Sequence, residues 1–184
     1  LAPGNYDMNL GSDGLDESTV PLATIASGYD LFNSKENVDI SIVLQGRPIG
    51  GTTVSGSSTV SNYLLANYII DNLVSIRKDC VVAFSPDKST VLNNFGVEST
   101  TLVNWRNVVH DSSYAVMDSG YKYQYDRYND LYRWVPLNGD VGGLMARTDH
   151  TNDAWWSPAG FNRGQIKNLV KLAWNPTQTD RDLI

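Results

Sequence analysis

Hydrophobic and polar positions along this chain follow two different periods, and the changes between them mark out its elements. Residues Leu1 to Thr19 are rich in Gly, Asn, Asp and Ser without a sustained period, which predicts an irregular lead-in. Ser27 predicts the cap of a short helix to about Asn33, with Tyr29, Leu31 and Phe32 as its apolar content. Val38 to Leu44 alternates and then becomes continuously apolar, the pattern of a strand buried on at least one face, and a Gly-rich loop through Gly51 ends it. Ser57-Ser58-Thr59 offers N-caps for a helix to about Arg77. Val60, Leu64, Asn67, Ile70 and Val74 form its stripe, and Tyr63, Tyr68, Leu73 and Ile76 widen it. Arg77 and Lys78 fall in the last turn, where the helix dipole favours cations. Asp79 to Phe84 is a second buried strand, so strand, helix and strand predict a βαβ unit with a parallel pair.

Beyond it, residues 87–94 and 98–109 read as helical with a break near Gly96, and Leu102, Trp105, Val108 and Val109 face inward. Tyr114 to Asp118 is a third strand. Tyrosines then alternate on both sides of an Asn129-Asp130 turn, from Tyr121 to Tyr125 and from Leu131 to Val135, which predicts an antiparallel hairpin with cross-strand aromatic pairs. Asp126 and Asp130 are assigned to its turn. A helix follows Pro136, with Asn138 as its cap and Gly142-Gly143 allowing close approach of another backbone. Ile166 to Trp174 is β-compatible, Asn175-Pro176-Thr177 stops it, and a short helix starts at Thr177. The predicted class is α/β (α+β mixed): a central mixed sheet with a βαβ unit, an aromatic-rich antiparallel hairpin and flanking helices.

Charge and composition narrow the chemistry. A length of 184 residues with 41% hydrophobic content suits one globular domain with a real core. The formal net charge of −6 argues against a nucleic-acid partner, because neutralising phosphates needs a basic face. No apolar run approaches the ~18 residues of a spanning helix, so no membrane partner is expected. Cys80, the single cysteine, lies in an apolar run and reads as a small buried residue. Asp13 to Asp16 lacks the alternating oxygen ligands and closing Glu of an EF-hand, and the loop at residues 45–51 fits no phosphate-binding pattern. Ser75 and Lys78 match a bare Ser-x-x-Lys spacing but sit at a helix end without companion motifs. His110, closing a helix, reads as a capping or dipole residue; Asp149, His150 and Asp153 form the one His-carboxylate cluster, without the ligand spacing of a metal site. No catalytic, cofactor-binding or metal residue is assigned, and no cofactor is expected.

The stretch from Trp155 to Gly164, Trp-Trp-Ser-Pro-Ala-Gly-Phe-Asn-Arg-Gly, dominates the last third of the chain. Pro158 removes a donor and Gly160 admits positive φ, so Trp155 and Trp156 with Phe161, Asn162 and Arg163 read as a rigid, aromatic-anchored crossover. Together with Asn175-Pro176-Thr177 and Asp180-Arg181-Asp182 it resembles the core of contractile bacteriophage tail sheath proteins, closest to the T-even type. Leu10 to Gly14 resembles the family's Gly-rich approach to this region, Val38 to Leu44 the strand after it, and Pro136 to Asp149 the stretch before the tryptophan pair.

The resemblance implies a structural subunit, not an enzyme, that polymerises around a tail tube and contracts to deliver the genome. Its partners would be other sheath subunits and the tube, and its location the virion tail, with host cytoplasm during assembly. Residues 1–148 would form the sheath core domain and 149–184 the start of a C-terminal, tube-proximal portion. The chain starts at Leu1 and stops at Ile184, so a longer parent and a monomeric fragment are expected. Trp155, Trp156, Pro158, Gly160, Phe161, Asn162, Arg163, Asp180, Arg181 and Asp182 are the candidate structural or interface residues, with Arg127, Arg133 and Arg147 as further charges for ion pairs between subunits.

Two other classes compete. A hydrolase-like or glycosidase domain would use His110 or His150 as base, but no G-x-S-x-G elbow is present. A carbohydrate-binding module would use Trp155, Trp156 and the hairpin tyrosines, and requires those rings to be exposed and coplanar. The sheath resemblance implies mostly buried indoles.

Overall fold

A computed structural model describes residues 19–184. The predicted lead-in up to Ser18, with its candidate calcium loop and Gly-rich approach, lies outside the described residues.

Three short strands pair in parallel in the order β1-β4-β5: β1 (Ile42–Leu44), β4 (Val81–Phe84) and β5 (Ala115–Met117). Val43 sits opposite Val82, and Ala83 opposite Val116. Helix α1 (Leu22–Asp30) precedes β1. It begins after Pro21 without a side-chain cap, and Ser27 lies inside it, so the expected start at Ser27 is corrected. A fixed φ near the helical value makes Pro21 an adequate helix opener.

Between β1 and β4 the chain first makes a hairpin of β2 (Thr52–Ser55) and β3 (Ser58–Ser61). The predicted caps at Ser57 to Thr59 therefore belong to a β-turn and a strand, and Val60 is a buried strand residue. Gly56, at φ +58°, makes the tight reversal possible, a signal outweighed in the sequence by the apolar spacing downstream. The helix proper comprises α2 (Leu64–Ile69), a π-helical turn (Ile70–Val74) and α3 (Ser75–Arg77). Leu65, Ala66, Ile69, Ile70, Leu73 and Val74 are all buried there and form the core with Val43, Val82, Phe84 and Trp105. Cys80 is buried too.

The second crossover carries α4 (Lys88–Val91), capped by Asp87, and α5 (Glu98–Arg106). Leu102, Trp105 and Val109 are buried as their spacing predicts, and the Trp105 indole N–H donates to the Ser61 carbonyl at 2.9 Å. After β5 the chain turns at Asp118-Ser119-Gly120, where the Asp118 carboxylate accepts the Gly120 N–H at 2.9 Å. Gly120 has φ +143°, and a Cβ there would lie 2.9 Å from Val91.

A second three-stranded sheet, all antiparallel and ordered β7-β6-β8, follows: β6 (Tyr121–Asp126), β7 (Leu131–Pro136) and β8 (Lys171–Leu172). Parallel and antiparallel pairings thus occupy separate sheets rather than one mixed sheet, because the Gly120 turn swings the chain off the first sheet's edge. Tyr123 faces Trp134 and Tyr125 faces Tyr132, with ring centroids 4.8 and 5.2 Å apart. Asp126 ties the hairpin turn, accepting from the Tyr128 N–H, the Asn129 amide and Arg133. Asp130 holds positive φ and accepts the Tyr125 hydroxyl.

Helix α6 (Asn138–Thr151) packs back on β1 and β4. Gly142 permits this approach, since a Cβ there would lie 2.4 Å from Leu44. Gly143 has open space instead. The last helix, α7 (Gln178–Leu183), opens on a capping box between Thr177 and Asp180.

Arg77 is the one fully buried cation in the core. Its guanidinium binds Asp79 at 2.9 and 3.0 Å and donates to the carbonyls of Phe32, Ser34 and Val38. These bonds fasten the segment between α1 and β1 to the C-terminal end of the crossover helix. Arg77→Met should cost about 3–5 kcal/mol by leaving Asp79 and three carbonyls without their donor. A chemical-denaturation curve checks this, and a change below ~1 kcal/mol would refute the clamp.

Candidate functional site

Two features stand apart from ordinary packing: a polar junction at the C-terminal ends of the parallel strands, and an exposed strap from Asn152 to Val170. In parallel sheets those strand ends converge backbone groups that need partners. Here Gln45, Ser85 and Asp118 each follow a strand, and Asn138 opens α6 beside them.

The Gln45 side-chain carbonyl accepts the Ser85 N–H at 3.0 Å. Ser85 Oγ donates to Asp118 at 2.6 Å and accepts from both the backbone N–H and the side-chain amide of Asn138, at 3.0 and 2.9 Å. The Asn138 amide also donates to the Gly46 carbonyl at 2.7 Å, while its own carbonyl accepts the Gly46 N–H at 3.2 Å. Asn138 therefore is not the helix cap that the sequence predicts. Leu137 occupies that position, and the buried Asn138 side chain is held by β1 and β4 instead. Burial raises the Asp118 carboxyl to a pKa of about 7, against the opposing hydrogen bonds from Ser85 and Gly120. Ser85 is fully buried and has no histidine beside it, so the junction is a structural knot rather than a nucleophile site.

Sequence reasoning missed this junction. Ser85 read as the end of a strand and Asn138 as a cap, and the residues are 53 positions apart. The signal was a set of small polar residues immediately after each parallel strand. Beside it lies a groove of about 780 Å³ lined by Arg47, Asn62, Asp87, Tyr121 and Trp134 among others.

Lys122 ties the second feature down. It is buried on β6, binds Asp140 of α6 at 2.8 Å, and donates to the Lys167 carbonyl at 3.1 Å. Backbone bonds from Val170 to Tyr123 and from Ala173 to Tyr121 add the strap's end to the sheet. Lys171 lies over the Tyr123 and Trp134 rings, 5.4 and 5.7 Å from their centroids.

Trp155, Trp156, Pro158, Gly160, Phe161, Asn162 and Arg163 come together in this strap. The Gly164 N–H bonds the Gly160 carbonyl at 2.8 Å, Gly160 takes φ +138°, and Arg163 Nε donates to the carbonyls of Ser157 and Ala159. The Arg163 guanidinium also covers the Trp156 ring at 5.5 Å. The strap is thus ordered by its own bonds, but its aromatics do not anchor it inward. Trp155 is 77% and Phe161 93% exposed, with Trp156 at 38%. Mostly buried indoles were expected, and that expectation is overturned. The described chain supplies no second apolar layer over this strap. The two indoles are tilted by 52° and do not form the coplanar platform that a sugar-binding surface requires.

Asp180, Arg181 and Asp182 lie elsewhere, on α7 against α5. Asp180 is used by its capping box, Asp182 accepts from Gln178, and Arg181 donates to Gln178, so local bonds occupy all three. Arg133 pairs with Asp126, and Arg127 stacks on Tyr128. His110 contacts Asp71 at 2.7 Å rather than a helix end, and its N–H is taken by Asn67. Asp149, His150 and Asp153 are exposed, and among the described residues no group of three His, Cys, Asp or Glu is placed to hold a metal. Among the same residues no helix is long and apolar enough to cross a membrane.

The described residues form an α/β scaffold that carries an exposed aromatic strap, and comparison with known proteins identifies the family. No protein-family model matches the chain. It is 38% identical over 185 residues to a tail sheath protein of Enterobacteria phage T4, which covers 93% of this chain and 27% of that protein. It is 39% identical over 198 residues to a tail sheath protein of Vibrio phage KVP40, covering 98% of this chain and 28% of the relative. A tail sheath protein of Salmonella phage ViI is 38% identical over 122 residues, 66% of this chain. The chain spans about a quarter of the length of the first two relatives. It belongs to the bacteriophage tail sheath proteins, structural components of the virion, and corresponds to one segment of their sequence.

Asp118 gives a pH test of the junction. Its folded pKa, about 7, lies above the unfolded value of ~4, so the folded state holds the extra proton between those pH values. Stability should therefore fall as pH rises from about 4 to about 7 and level off above that. The melting temperature of Asp118→Asn should lose this fall over the same window; an unchanged slope in that variant would remove Asp118 as the source.

Proposed function

We propose that this chain is part of a sheath subunit that polymerises with other subunits around a tail tube and contracts to drive genome delivery. It acts as a rigid building block and not as an enzyme. The observation that carries this reading is the alignment of nearly the whole chain with tail sheath proteins of two phages. The fold supports it physically. Contraction by rigid-body rearrangement needs units that transmit load without deforming. Here a buried polar knot and a buried arginine clamp bind the layers together.

Residues 1–148 make the body of the unit in this reading, and 149–184 begin its tube-proximal portion, joined to the body by β8 on β6 and by the Lys122 bond to Lys167. The assembled location is the virion tail, preceded by the host cytoplasm during assembly. Sheath subunits and the tube are the partners, with no role for nucleic acid or membrane. A carbohydrate-binding reading draws on the exposure of Trp155 and Phe161. The tilt of the tryptophan pair opposes it.

Sedimentation and electron microscopy of the full-length parent, beside the 184-residue chain, test the proposal. The parent should form tubes, and the isolated chain should sediment as a monomer of 20.3 kDa at micromolar concentration and physiological salt. A parent that stays monomeric under every assembly condition, or a chain that binds immobilised glycans, would overturn it.

A further inference from the structure

The strap and the α1 end of the molecule are opposite in charge, and both expose apolar side chains. Residues 152–174 hold three of the fourteen lysines and arginines, Arg163, Lys167 and Lys171, and one of the twenty acidic residues, Asp153. Eleven cations therefore face nineteen carboxylates in the rest of the chain. Trp155, Phe161 and Val170 project from this basic segment at 77%, 93% and 60% exposure.

The acidic counterpart lies on α1, the segment after it and the crossover helix, where Asp30, Glu36, Asp39 and Asp71 outnumber Lys35. Tyr68 donates to Asp30 at 2.7 Å, and Asp71 stands one helical turn beyond Tyr68. Leu31 and Phe32 follow Asp30 and are exposed, and Glu36 and Asp39 lie on the segment that Arg77 fastens beneath them.

We propose that the basic aromatic strap of one copy docks on the acidic face around Asp30, Glu36, Asp39 and Asp71 of a second copy. This rests on the sheath reading and assigns a surface to it. Two different patches on one chain make a head-to-tail contact, which propagates instead of closing as a two-fold dimer would. The chemistry suits an interface. Trp and Arg are among the residue types that dominate binding energy, Phe is enriched at interfaces, and charge complementarity fixes register and suppresses wrong pairings. The internal bonds of the Gly160–Gly164 turn hold Phe161 in place before binding, which lowers the ordering cost of association. A single contact of this kind is weak and salt-sensitive, so the isolated chain remains monomeric at dilute concentration and physiological salt.

Sedimentation equilibrium of the 184-residue chain at high concentration and about 0.02 M ionic strength tests this, where charges are little screened. The weight-average mass should rise with concentration and fall back to the monomer value at about 0.5 M salt. Lys167→Glu/Phe161→Ala should stay monomeric under both conditions, and so should Glu36→Lys/Asp39→Lys. All four side chains are on exposed positions, and melting curves verify that each variant folds. Mixing the two variants should restore association, because each keeps the face that the other lacks. Three results would each overturn the proposal: no mass rise in the wild-type chain, variants that associate like it, or a mixture that stays monomeric. If the parent still forms tubes in such a case, only this surface assignment fails. If strap variants lose only assembly on a tube template, the strap belongs to the tube. A parent that never polymerises removes the sheath reading itself.

Discussion

Everything in this molecule hangs on how the ends of three short parallel strands are closed. Strands of three or four residues expose as much unpaired backbone at their tips as they bond along their length. The Asn138 amide solves this by bonding both the N–H and the carbonyl of Gly46 and by meeting Ser85, which in turn meets Asp118. One side chain thereby joins the loop after β1, the end of β4, the turn after β5 and the start of α6. Such a network is fully worth its burial only when its members are satisfied together. Its bonds fix the start of α6 against the ends of β1 and β4, while the buried Gln45 Nε2 is left without a partner.

The antiparallel sheet extends the scaffold outward. Its hairpin is stabilised locally, by aromatic pairs and the Asp126 turn. The strap it carries is held by the Lys122 hydrogen bond to the Lys167 carbonyl and a few backbone bonds. A gradient follows, from a core defined by apolar burial and a clamped arginine to a rim defined by polar self-contacts and uncovered aromatics. Exposed tryptophan and phenylalanine on an ordered loop keep apolar surface in water, an unfavourable state that burial against a partner would relieve.

Local and periodic signals were legible in the sequence: the buried run of β4, the inward face of α5, the tyrosine hairpin with its Asp-built turn, the Thr177 cap and the inclusion of Asn67 in the buried stripe. Each rests on residues within a turn or two of one another. The family resemblance was legible too, through one unbroken run of ten residues. The misplaced start of the crossover helix shows where such signals fail. Val60 fits a helical stripe with Leu64 and equally fits a strand face, and only the Gly56 reversal pairing Thr53 with Val60 selects the strand.

The sequence by itself determined which segments bury apolar area, which turns are forced by Gly, Pro and Asp, and the family to which the chain belongs. These depend on side chains close together in the chain. The tertiary structure alone decided that parallel and antiparallel strands fall into separate sheets, that Asn138 and Ser85 meet across the fold, and that Trp155 and Phe161 face outward. Those outcomes depend on which distant groups compete for the same space and the same hydrogen bonds, and periodicity carries no record of that competition.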